Sequence, residues 1–86
     1  MEGEFKDTRL CIAFKSVHAE LVSTKKIKNN SHLARRLFTY NHVINAILRG
    51  NRKPTLAQIG GLVSLYGVNA NFFFIETKQM FNYEEA

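Results

Sequence analysis

Leu33-Ala34-Arg35-Arg36-Leu37-Phe38-Thr39-Tyr40-Asn41-His42-Val43-Ile44-Asn45-Ala46-Ile47-Leu48-Arg49-Gly50 is the stretch on which the reading of this chain turns. Its apolar residues fall at helical spacing in two short runs, Leu33, Ala34 and Leu37, then Ile44 and Ile47 with Leu48 at the edge. Between them Phe38-Thr39-Tyr40 reads as a tight connection. Two short helices joined in this way can pack near perpendicular and leave the second one protruding. Small Ala34 suits their close approach, and Asn41, His42 and Asn45 fall on the outer side of the second helix, toward its N-terminus.

Working outward, a helix is predicted over residues 7–23, with Asp7 or Thr8 as its cap and Leu10, Cys11, Phe14, Val17 and Leu21 on one face. A basic turn follows, and Asn29 or Asn30 caps the helix predicted over 31–37. The next helix, over 41–48, closes at Gly50, where a left-handed residue is wanted. The loop Asn51-Arg52-Lys53-Pro54 leads to a fourth helix over 55–66, capped by Thr55, with Leu56, Ile59, Leu62, Val63 and Tyr66 on its buried face. Gly67 stops it, and Asn69 caps a short fifth helix through Phe72-Phe73-Phe74. Gly60-Gly61 interrupts the fourth helix at roughly 1 kcal/mol per glycine. The pair therefore predicts close backbone packing or a bent turn there. The expected fold is all-α, five short helices in one domain over 7–76, with an arm at 1–6 and a tail at 77–86.

Charge sharpens the picture. The net charge is +5, and every carboxylate lies toward an end: Glu2, Glu4, Asp7 and Glu20, then Glu76, Glu84 and Glu85. The 55 residues from Leu21 to Ile75 hold eight bases and no acid. A fold built from that block presents a positive surface, which attracts polyanions and gains from releasing their counterions. Nucleic acid is the expected partner on charge alone.

Several classes are excluded or unsupported. No apolar run approaches the roughly 18 residues of a membrane span. The acidic start lacks the basic and apolar regions of a secretory signal, so a cytoplasmic location and no membrane are expected. A lone cysteine, Cys11, makes no internal disulfide and reads as a buried apolar residue. His18, His32 and His42 lack metal-ligand spacing, and no metal or cofactor is expected. No nucleophile elbow and no glycine-rich phosphate loop occurs, so no enzyme activity is expected.

Leu33-Ala34, Ile44, Ile47, Gly50, Arg52-Lys53-Pro54 and Gly67-Val68-Asn69 stand in an order and spacing that resembles the lambda-repressor and Cro-like (XRE) helix-turn-helix family, over about residues 9–75. The resemblance implies a sequence-specific, repressor-type transcriptional regulator that lays its third helix in the major groove of double-stranded DNA. It implies base contacts from Asn41 and His42, with Asn45 and Ala46 behind them. A carboxamide can pair with adenine N6 and N7 together, His42 can donate to guanine and Ala46 can touch a thymine methyl. With no Arg before Arg49 in that helix for bidentate guanine readout, either modest specificity or an AT-leaning site is expected. Phosphate contacts are assigned to Lys28, Asn30, Ser31, Tyr40, Arg52 and Lys53, Asn30 and Ser31 acting through backbone N–H groups. The chain departs from the family at Phe38, where a glycine is usual, and at Leu48, where a glutamate that could pair with Arg9 is common.

Alternatives stand beside these assignments. Asn41 can serve only as a helix cap, and His42 only as a solvated side chain. Phe72, Phe73 and Phe74 are either core or a homodimer surface, since three consecutive rings cannot all point inward; the resemblance favours the dimer, with half-sites about one DNA turn apart. The alternative from another class is an antitoxin-like protein-interaction module that uses the aromatic C-terminal segment.

Overall fold

Three helices begin where a short polar side chain takes up an otherwise unpaired backbone N–H. In the computed structural model, which describes residues 3–75 and 77–82, the order is α1 (Arg9–Ser23), α2 (Asn30–Arg36), α3 (Asn41–Leu48), α4 (Leu56–Tyr66) and α5 (Asn71–Phe74). Thr8 Oγ1 accepts from Cys11 N at 3.4 Å and opens α1. Asn29 Oδ1 accepts from His32 N at 2.8 Å and opens α2. Thr55 opens α4 through a reciprocal box: its Oγ1 accepts from Gln58 N, and its own N–H donates to Gln58 Oε1 at 2.9 Å. The box satisfies Gln58, the one buried polar residue among those described.

Four helices, α1 to α4, end on left-handed residues: Lys25 (φ 62°), Phe38 (57°), Gly50 (78°) and Gly67 (70°). At the first three the N–H of the left-handed residue reaches back three positions, and the next N–H reaches back five. Thr39 N to Ala34 O at 2.9 Å and Asn51 N to Ala46 O at 2.8 Å are two such closures, the Schellman pattern. Two of these ends carry a side chain where glycine is cheapest, at a cost of about 1 kcal/mol or more each.

All five helices feed one core. Phe14, Val17 and Leu21 of α1, Leu33 of α2, Ile44 and Ile47 of α3, Leu62 of α4 and Phe73 of α5 are fully buried. The main helix contacts are α2 on α3, and α1 on α5 and α3. Leu56, expected on the buried face of α4, is exposed instead, and Ile59 and Leu62 carry that helix's contact with the core. The glycine pair of α4 divides: a Cβ at Gly61 would lie 2.7 Å from Leu37 Cδ2, whereas one at Gly60 would meet nothing within 4 Å. Close packing is thus the reason for Gly61 only.

Described segments on either side of residues 7–76 pack against that domain. Phe5 N donates to Gly50 O at 2.9 Å, and a Cβ on Gly50 would collide with Lys6 Cα. At the other end Asn69 N donates to Met80 O and Asn82 N to Gly67 O, both at 2.8 Å, around an antiparallel bridge between Val68 and Phe81. Met80 and Phe81 pack on the core, and Lys26 Nζ sits 5.5 Å from the Phe81 ring centre. Residues 83–86 of the expected tail lie outside the described residues, as do 1, 2 and 76. Asn69 takes up the first free N–H of α5 from one residue further back than the N-cap position, which Ala70 holds. Its Oδ1 accepts from Asn71 N in a local turn, while its Nδ2 donates to Gln79 O and holds the returning segment.

Arg9, without a glutamate at position 48, turns to the C-terminal end of α5. Its Nη2 donates to the carbonyls of Phe72 at 2.9 Å and Ile75 at 3.0 Å, and its guanidinium lies 5.3 Å from the Phe72 ring centre. A cation at a helix C-terminus is favourable, and one over a ring face adds to it. No helix among the described residues is long and apolar enough to cross a membrane.

Candidate nucleic-acid interface

A shallow cleft of about 540 Å³ runs between the start of α2 and the start of α3. Its lining is Lys28, Asn29, Asn30, Ser31, Asn41 and Asn45, with Val22 at the edge. The fold thereby brings together three residues assigned to phosphate and two assigned to bases. The packing of Leu33 and Ala34 against Ile44 and Ile47 is what places these two helix starts side by side.

Within the cleft the asparagines are not equivalent. Asn30 Nδ2 donates to Asn45 Oδ1 at 2.7 Å, and Asn30 Oδ1 accepts from His18 Nε2 at 2.6 Å. A chain of hydrogen bonds from α1 through α2 to α3 therefore uses both ends of the Asn30 carboxamide. Asn30 is a bridge, and its backbone N–H and second amide hydrogen remain as donors for an anion. Asn45 has its acceptor committed and keeps its amide as a donor; it is half-buried. Asn41 is exposed and its side chain has no hydrogen-bond partner among the described residues. It therefore keeps the donor–acceptor pair that adenine readout requires. Nothing in the composition marked the His18–Asn30–Asn45 link, because the three residues are remote in sequence and each has a common local role.

The start of α3 differs from those of α1, α2 and α4. Tyr40 is its N-cap residue and supplies no side-chain bond. The N–H groups of Asn41 and His42 have no acceptor among the described residues, so they point outward at the positive end of the helix dipole. Asn41 is therefore not the cap; it is the first residue of the helix. Tyr40 and His42 stack, ring centres 5.6 Å apart and planes within 9°, on the exposed surface. Ala46 is half-buried behind them. His18 and His32 are engaged locally, His32 Nδ1 accepting from Lys28 N at 3.1 Å. No group of three potential metal ligands occurs among the described residues.

Arg52 and Lys53 lie elsewhere, in the loop after α3 that the N-terminal segment covers. The buried Cys11 Sγ donates to Arg52 O at 3.3 Å, and Lys53 Nζ sits 5.3 Å from the Phe5 ring centre. Both side chains are exposed, but neither lines the cleft.

The aromatic run of α5 divides between core and surface. Phe73 is fully buried and Phe72 is 9% exposed, so packing leaves only Phe74, 54% exposed, with Ile75 on the outside. Phe38 is the opposite case: it is 96% exposed and has neither a core contact nor a ring partner among the described residues. Compared with family models, with curated proteins and with solved structures, the chain finds no match.

Proposed function

We propose that this chain is a helix-turn-helix regulator that binds double-stranded DNA, inserting the N-terminal end of α3 into the major groove. The observation that carries the reading is the meeting of free donors at one place: the uncapped start of α3, the unengaged carboxamide of Asn41, and the cleft lined by Lys28, Asn30 and Ser31. These donors sit within a 55-residue block that has no acid of its own. Groups around the cleft hold the phosphates and set the register, while Asn41 reads a base edge, His42 and the Asn45 amide assisting. Arg35, Arg36, Arg52 and Lys53 add general attraction to the polyanion. Bound at an operator, the protein acts as a repressor by occupying it, and a second copy joined through Phe74 doubles the site.

The aromatic segment that an antitoxin-like module would offer to a partner is, over residues 79–82, paired with the chain's own residues 67–69. The DNA reading is the better supported of the two.

Selection of bound fragments from a random duplex pool at two salt concentrations tests the proposal. An enriched, AT-leaning motif is expected. Asn41→Ala relaxes the preference at one position, at a cost of about 1–3 kcal/mol against the cognate base. Lys28→Ala weakens all duplexes alike and makes the slope of log K against log salt shallower by about 0.9. Failure of both variants to change duplex affinity rejects the interface.

A further inference from the structure

Phe38 is held in an expensive conformation for no benefit to the fold. Its φ of 57° belongs to the left-handed region, and two hydrogen bonds, Phe38 N to Arg35 O and Thr39 N to Ala34 O, fix the turn around it. Those bonds are made by the backbone, so glycine would make them at less cost. The ring itself is 96% exposed, and burial gains it nothing. A large apolar ring, carried on a fixed turn and left in water, is arranged for something outside the chain.

The surroundings say which chemistry that is. Arg35 and Arg36, both exposed, occupy the last turn of α2 immediately before the ring, and the stacked Tyr40–His42 pair, also exposed, follows it. Cations and exposed rings this close along the chain complement the phosphates and the flat bases of nucleic acid. The geometry points to Phe38 as a base-contacting wedge: when α3 enters the groove, the ring presses into a neighbouring base step and partly unstacks it. This rests on the reading of the chain as a duplex-binding protein. The ligand class is then narrower than duplex DNA in general. It is duplex with a flexible pyrimidine–purine step beside the groove that α3 reads, since such steps unstack at the least cost.

The full chain is titrated with duplexes that carry its selected motif, next to either a TpA step or a stiff A-tract, with 2-aminopurine as a stacking reporter at the step. The wild type is expected to prefer the TpA duplex and to raise the reporter fluorescence. Phe38→Gly is expected to raise Tm by about 4–8 °C. The same variant is expected to lose about 5- to 100-fold in affinity and the fluorescence rise, with the salt slope unchanged. Phe38→Ala keeps the strained turn without a wedge, and should lose the fluorescence rise with no gain in Tm. Unchanged affinity and fluorescence in Phe38→Gly overturn the wedge, as does a lowered Tm, which would mean that the fold uses the ring. If Asn41→Ala still relaxes base preference in that case, the groove reading survives. If the wild type binds no duplex at all, both fall together.

Discussion

The ends of α2 and α3 are built on one backbone plan and filled in opposite ways. Both close with a left-handed residue and a hydrogen bond that reaches back five positions. At the end of α3 that residue is Gly50, which is buried, bonded through its carbonyl to Phe5 N and pressed against Lys6 so closely that no Cβ fits. At the end of α2 it is Phe38, whose side chain stands almost fully in solvent. One end is dictated by packing; the other carries a residue that packing does not ask for. The wedge proposed for Phe38 is a reading of that difference.

The largest test of this contrast is Gly50→Ala. It adds left-handed strain to a collision with backbone, and a loss of about 3 kcal/mol in urea-melt stability is expected. A loss below about 1 kcal/mol would mean that the N-terminal segment yields freely and that the two ends are alike. Next comes Phe38→Gly, with an expected gain of about 1 kcal/mol from relief of strain, read in the same melts. The smallest effect sharpens the comparison from another side. Gly60 lies in mid-helix with open space around it, so Gly60→Ala should add about 0.5–1 kcal/mol, read as a higher melting midpoint. A loss at Gly60 would show that space at a glycine is no guide to its role, and would weaken the inference at Phe38.

Much of the chain was legible before its fold was seen. Helix starts at Thr8, Asn29 and Thr55 and the stops at Gly50 and Gly67 follow from capping and handedness, which act within one turn. The inward faces of α1, α2 and α3 follow from apolar spacing, which is also local. What escaped was long-range. Asn30 looked like a cap or a phosphate donor and is a bridge to His18 and Asn45. Residues 77–82 looked like a tail, and 79–82 pair with 67–69. Phe72, Phe73 and Phe74 were indistinguishable as a run, and only the docking of α5 on α1 separates them.

The sequence by itself determined five short helices, their boundaries to within a residue or two, and an acid-free basic block able to attract a polyanion. Only the tertiary structure decided which polar groups stay free at the junction of α2 and α3, and which rings stand in water. Capping, periodicity and charge are properties of neighbours in the chain. Freedom and exposure depend on partners brought from distant positions, and no local rule contains them.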